Sequence, residues 1–415
     1  MSRASTPASR HIDESFHVAI AGPILTRPLA RFTNRSPENL PDELEGTLVW
    51  QLVRDLLGRE YRVSVVTLDQ GVTTPVALSI PESGQPFDIK LGPYRARHWM
   101  RDLMRVERHA VRDGVLRTQP ELVHAHWCYE YALGALASGV PTLVTVHDWA
   151  PAVLKMMETR YWPYWTGRLG LYFATLARAR HLTAVSPYIA CKVRRFSRGA
   201  VEVIPNGFPD GRFAATGNQP AVVSTDGKPI VVSVNNGFSP LKNVRRLLEA
   251  YRTLGLQGIE CELHVIGDGY EPGGPCEAWA WQGRLAEGVT FEGPLPHAKV
   301  LSRMREATLL VHPAREESFG MTLIEAMSQR VPVIGGARSG AVPWVLDAGR
   351  AGLLVDVDNP GSIAEAIEAL LRQPPLRERL ALAGYRHAWQ NFRQSRVTDL
   401  YLDAYRRLLA EEASK

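Results

Sequence analysis

Glu317 and Glu325 stand with seven residues between them in the stretch REESFGMTLIEAMSQRVPVIGG (315–336). Ionised carboxylates accept hydrogen bonds from hydroxyl and N–H groups, so two of them at a fixed spacing can grip a polar ligand. What they do depends on what holds them. MTLIEAMSQR consists of good helix formers with apolar residues three and four apart. VPVIGG is a short apolar run closed by glycines, and the upstream VHPAR is apolar and then turn-like. The segment reads strand, loop, helix, strand, with Glu317 in the loop and Glu325 on the helix. In isolation such a pair is a solvated acidic loop beside a surface glutamate; context decides between the two readings.

The same rhythm runs through the chain. Apolar runs at 16–22, 61–68, 121–127, 141–148, 181–186 and 201–207 alternate with helical patterns, and a second series follows at 229–235, 261–269, 288–293, 307–313, 331–336 and 351–357. This alternation predicts parallel sheets covered by helices on both faces. The stretch 209–228 is rich in Gly, Pro, Ser and Asp and reads as a linker. The expected fold class is α/β: two Rossmann-like, doubly wound domains, 15–208 and 229–390, facing a central cleft, with a flexible tail at 1–14. A helical pattern at 391–415, containing VTDLYLDAYRRLLA, is expected to return to the first domain. In open α/β sheets, ligands bind beyond the carboxyl ends of the strands. His126, His147, Ser186, Asn206, Asn235, Gly267 and Glu317 all fall there, which points to one cleft lined by both domains.

At 415 residues the chain is too long for one ordinary core, and its 45% hydrophobic and 22% charged residues are those of a globular protein, not a disordered or fibrous one. Cys128, Cys191, Cys261 and Cys276 are scattered without metal-ligand spacing and fit reduced thiols in a cytoplasmic protein. MSRASTPASRHIDES has no apolar core, so no secretory signal is expected, and no apolar run is long enough to cross a bilayer. Charge is uneven: residues 1–200 hold 25 Lys and Arg against 18 Asp and Glu, and the remainder 23 against 25. The excess concentrates in YRARHWMRDLMRVERHAVRDGVLR (94–117) and KVRRFSR (192–198). Trp99, Leu103 and Val106 fall at helical spacing there, flanked by Arg95, Arg101, Arg105, Arg108 and Arg112. The pattern fits a helix on an anionic membrane surface and equally a core-facing helix with a charged outer side.

Taken together and in order, LVHAHW, VTVHDW, TAVSPYIA, VEVIPNGF, the Lys-Asn of SPLKNVRRLLEAY, LHVIGDG, VTFEG, HPAREESFGMTLIEAMSQRVPVIGG and GLLVDVDNPGSIAEAI resemble retaining glycosyltransferases of the GT-B fold, in particular glycosyltransferase family 4. The resemblance covers about residues 40–370, with the motifs at the family's spacing, and the glutamate pair is that family's signature. It implies that Glu325 accepts hydrogen bonds from the ribose of a nucleotide while Glu317 faces the donor sugar. Ser318, Phe319, Gly320 and Met321 lie at a helix start, where backbone N–H groups lack intrahelical partners and favour a diphosphate. By the same resemblance Lys242 places its ammonium on that diphosphate, and His147 reaches the donor sugar or the reacting centre. Gly46 lets backbone approach the phosphates, and Phe291 and Gly293 border the nucleobase. His126 lines the cleft or belongs to the core, and Ser186 and Asn206 join it as acceptor-side or cleft-lining positions. Gly267 and Gly269 form a tight turn that is structural or ligand-facing.

Two departures stand out. Asn235-Asn236 replaces the family's Gly-Arg, so the diphosphate lacks one cation, which Arg245 or Arg338 is placed to supply. Trp344 stands where the family often carries a glutamate. The aspartates of DVD (356–358) look like a metal pair but fall in a variable segment, and the fold does not generally need a metal for transfer, so no metal and no cofactor is expected. The expected activity is transfer of a sugar, with retention, from a UDP- or GDP-sugar to a glycan or lipid-linked acceptor in cell-surface or exopolysaccharide assembly. The expected partners are that donor, that acceptor and an anionic membrane touched by the N-terminal domain, without nucleic acid. The expected place is the cytoplasm, at the inner membrane face. A non-catalytic GT-B subunit and a nucleotide-sugar epimerase of the same fold are the alternatives.

Overall fold

The computed structural model describes residues 16–32, 49–80, 87–95, 102–156, 161–214 and 227–415. Gly46, the tail 1–14 and most of the expected linker (215–226) lie outside the described residues. The chain divides into two compact units, Met1–Val144 with Tyr405–Lys415, and Thr145–Ala404.

Two Rossmann-like sheets form the framework. The first holds β1 (His17–Ala21), β2 (Arg62–Asp69), β3 (Val76–Ile80), β4 (Phe87–Pro93), β5 (Leu122–His126), β6 (Thr142–Val146), β7 (His181–Ala184) and β8 (Val201–Val203), in the order β3-β4-β2-β1-β5-β6-β7-β8. β1 pairs in parallel with β2 and β5, β2 with β4, and β7 with β8. The second holds β9 (Ile230–Val234), β10 (Glu262–Ile266), β11 (Val289–Phe291), β12 (Leu309–His312), β13 (Val333–Gly336) and β14 (Leu353–Val355), in the order β11-β10-β9-β12-β13-β14. All its pairings are parallel.

Every strand expected from the apolar runs is present. β3 and β4 are additions: β3 lies at the sheet edge, antiparallel to β4, with Val76 exposed. An edge strand with one unpaired side needs no continuous apolar run, so PVALSI between polar turns carried little signal. The basic stretch also differs from its sequence pattern. Its helix is Arg105–Thr118, shorter than 94–117, and Arg97, Trp99 and Arg101 lie outside the described residues. Leu103 and Val106 are exposed, whereas Arg95 is tied to the buried Glu107 at 2.7 Å and to Asp102 at 3.0 Å.

In the first unit, Val18, Ile20, Val63, Val65, Leu122 and Val123 fill the core. The helix Gln394–Ala413 returns to it: the Tyr405 hydroxyl meets His124 Nδ1 at 2.6 Å, and its ring meets Phe16 edge-on. In the second, Val231, Leu263, Val265, Leu309, Val311 and Ile334 pack against Leu247 and Leu248 of the helix Val244–Leu256 and against Ile363 and Ile367 of Pro360–Arg372. Helices on both faces bury these strands on both sides, hence their near-continuous Val, Ile and Leu. Chain order reverses between β9 and β12. At such a switch point the connections leave in opposite directions and open a crevice at the strands' carboxyl ends.

Candidate active site

Residues 313–320 leave β12 at that point and lead into the helix Met321–Ser328. Glu317 sits in this loop. Its Oε1 accepts from Lys242 Nζ at 2.6 Å and from His312 Nε2 at 3.2 Å. Burial alone would push the carboxyl up; the His312 hydrogen bond and the Lys242 ammonium outweigh it and hold the group at about 2. Glu317 is therefore a carboxylate at neutral pH, partly buried and flanked by a cation.

The positions of these groups have local causes. Asn243, buried and left-handed at φ 56°, precedes the helix Val244–Leu256 and donates from Nδ2 to the carbonyls of Pro313 (3.1 Å) and Val357 (2.8 Å). In the Lys-Asn pair, then, asparagine anchors the loop and lysine reaches out of it. Arg315 clamps the same loop, donating from its backbone N–H to Leu241 at 2.8 Å and from Nη1 to the Pro240 carbonyl at 2.6 Å, with Nε on Asp358 at 2.6 Å. Behind Glu317, the Ala341 N–H donates to its carbonyl at 2.9 Å. That contact requires glycine at position 340, where φ is +62° and a Cβ would stand 2.3 Å from the Glu317 oxygen. Ser186, which caps the helix Pro187–Val193, donates to the Ser318 carbonyl at 2.6 Å, and Tyr188 donates to Glu316 at 2.6 Å. His312, Asn243, Arg315 and Gly340 were not singled out in the sequence. The signals were there: a histidine ending an apolar strand, an asparagine beside the lysine, and Ser-Gly closing GGARSG.

Gly320, at φ +96°, turns the chain into the helix Met321–Ser328, whose start has no side-chain cap. The N–H groups at such a start have no i−4 acceptor within the helix, and that of Leu323 turns back to the Gly320 carbonyl at 3.1 Å. Phe319 contributes backbone only: its ring is buried against Trp344 at 6.0 Å and Phe392 at 5.6 Å. Trp344 completes this aromatic cluster, so the residue replacing the family's glutamate acts here as packing. Glu325 has a different partner from Glu317. Its Oε1 lies 2.8 Å from Nε2 of His297, whose Nδ1 is met by the Arg212 guanidinium.

A second loop cluster forms after β9 and β10. Asn235 donates to Ser233 Oγ at 2.9 Å, and Asn236 is exposed. Gly267 lies against them at φ +126°, where a Cβ would be 1.8 Å from the Asn235 carbonyl, so the IGDG turn needs glycine for structure. Gly293 donates to Tyr270 at 3.0 Å and accepts from Gly267 at 2.8 Å; Phe291 belongs to the core. Of the two arginines placed to supply the missing cation, Arg245 is stacked between Phe238 (5.0 Å) and Trp279 (4.9 Å). Arg338 is mostly exposed and pairs with Asp356 at 2.8 Å. Both aspartates of DVD thus pair with arginines, Asp356 with Arg338 and Asp358 with Arg315.

His147 follows β6, and desolvation lowers its imidazole to about 3, so it is neutral. Asn206 is buried in the loop after β8. In the other unit, His126 is buried, with its ring 4.1 Å from that of His124. The structure thus joins Lys242 to Glu317 and Ser186 to Ser318 directly.

Two family models match in succession: Glycosyltransferase Family 4 over residues 46–212 and Glycosyl transferases group 1 over residues 217–387. A curated relative, D-inositol 3-phosphate glycosyltransferase of Thermobifida fusca, is 35% identical over 29% of this chain, and the match spans only 28% of the relative's length. Among solved structures, sucrose-phosphate synthase of Thermosynechococcus elongatus superposes with a TM-score of 0.73 at 21% identity, over 95% of this chain and all of that one. Anabaena HepE, solved with UDP-glucose, gives 0.65 at 16% identity over 96% of this chain and 99% of its own. With both halves matched in order, the chain belongs to the glycosyltransferases of family 4 and group 1, with the GT-B fold.

Proposed function

We propose that this protein is a retaining glycosyltransferase that moves a sugar from a UDP- or GDP-sugar to a hydroxyl of a glycan or lipid-linked acceptor. The observation that carries the reading is the ionised Glu317 paired with Lys242 at 2.6 Å beside the uncapped start of the helix Met321–Ser328. A diphosphate at that helix start would draw in the Lys242 ammonium, which stabilises charge as the nucleotide leaves. Glu317 would hold the donor sugar, Glu325 the ribose, and neutral His147 a sugar hydroxyl. The acceptor hydroxyl oxygen attacks the anomeric carbon from the face the nucleotide leaves, the bond from that carbon to the diphosphate oxygen breaks, the hydroxyl proton passes to the departing diphosphate, and the configuration is retained. A donor domain at 229–390, an acceptor domain at 15–208 joined by the linker 209–228, and work at an anionic cytoplasmic membrane face, independent of metal, belong to the same proposal.

The test is incubation of the protein with candidate nucleotide sugars and glycan acceptors, following nucleotide release and the anomeric configuration of the product by NMR. Retained configuration with nucleotide release in the presence of EDTA is expected. Inversion overturns retention, and absence of both release and nucleotide binding overturns the reading as a transferase.

A further inference from the structure

The site contains one polar group that neither packing nor the diphosphate explains. β12 reads LLVH and is buried throughout, yet it ends in an imidazole that is 2% exposed. Nε2 meets Glu317 Oε1 at 3.2 Å, while Nδ1 has no hydrogen-bond partner among the described residues. A leucine would fill this strand end without leaving a buried polar atom unpaired. The carboxylate accepts, so Nε2 carries a proton and donates it. Lys242 and His312 use the same oxygen and leave Oε2 for a ligand hydroxyl. Their settings differ: Lys242 projects from a loop, with its side chain 22% exposed, whereas His312 is buried at the end of β12.

We propose that His312 is a positioning residue for Glu317, and that it is the partner the carboxylate keeps when a nucleoside diphosphate draws Lys242 away. This rests on the reading of Glu317 as the residue facing the donor sugar. Without His312, the carboxylate of the donor complex would be buried with no fixed donor, free to turn and prone to take up a proton. The titratable and charged groups facing Glu317 are Lys242, from the loop before the helix Val244–Leu256, and His312, from β12. Its neighbours are occupied elsewhere, Glu316 with Tyr188 and Arg315 with Asp358. Burial pushes this carboxyl up and the His312 hydrogen bond pulls it down, so removing the imidazole moves the acid limb of turnover to higher pH.

His312→Leu and His312→Gln test this in the full chain. Gln can offer an N–H close to the Nε2 position; Leu preserves the packing alone. With the donor found active above, His312→Leu should keep UDP or GDP affinity within about twofold, lower kcat about tenfold or more and shift the acid limb upward. His312→Gln should recover most of both. Long-range nitrogen–proton NMR of histidine-labelled protein should show a His312 ring protonated at Nε2, and still so when UDP is added, a readout that needs no turnover. An Nδ1–H tautomer overturns the proposal even if transfer is demonstrated. So does unchanged kcat and pH profile in His312→Leu, or loss of nucleotide affinity equal to the loss of kcat. The NMR result stands by itself if the transferase reading fails.

Discussion

Glu317 and Glu325 have the same side chain and different neighbours, and the neighbours set what each can contribute. Glu317 is pinned by Lys242 and His312 and held as an anion by them; among the described residues the Glu325 carboxylate meets His297, which is itself exposed. On the proposal that Glu325 holds the ribose, a contact made equally in ground and transition states, Glu325→Ala should weaken UDP or GDP binding by roughly 10- to 100-fold, the range for a hydrogen bond to a charged group. Glu317→Ala should leave affinity for the free nucleotide nearly intact and lower turnover by about 100-fold or more. Calorimetric titration with the nucleotide separates the two. Equal loss of affinity in both variants would show that the ends of the ligand are assigned wrongly.

Among elements, the loop from β13 into Val342–Val345 is held by a left-handed turn at Gly340. Gly340 permits the left-handed turn that brings the Ala341 N–H onto the Glu317 carbonyl. An alanine there adds a Cβ in the left-handed region, which costs about 1–2 kcal/mol before any clash is counted. Gly340→Ala should therefore lower stability by at least that much in urea unfolding and disturb Glu317. Gly211→Ala, where a Cβ meets nothing within 4 Å, is the control and should change neither. A Gly340→Ala protein with unaltered stability and turnover would show that the turn does not fix the carboxylate.

For the molecule as a whole, β9 and β12 place loops from distant parts of the sequence at one switch point: Lys242 and Glu317 are 75 residues apart in the chain. A nucleoside diphosphate should slow amide hydrogen exchange both at 317–325 and at 242–246, because one ligand would bridge the two segments. Protection of one without the other would mean that the nucleotide does not span Lys242 and the helix start.

Much of this was legible in the sequence because it depends on local periodicity. Strands buried on both faces announce themselves as Val, Ile and Leu runs, so the two largely parallel sheets and the place of Glu317 in the loop after β12 followed directly. β3 escaped because an exposed edge strand needs no apolar run. Phe319 and Trp344 gave no warning that they would pair with Phe392, and Arg245 none that it would lie between two rings. His312 looked like the end of a strand, and its role appeared only when Glu317 was found 3.2 Å away. Sequence sets what each residue can do within a few positions of itself. Which imidazole faces which carboxylate is a contact across separate turns of backbone, and only the packing of the sheet and its loops decides it.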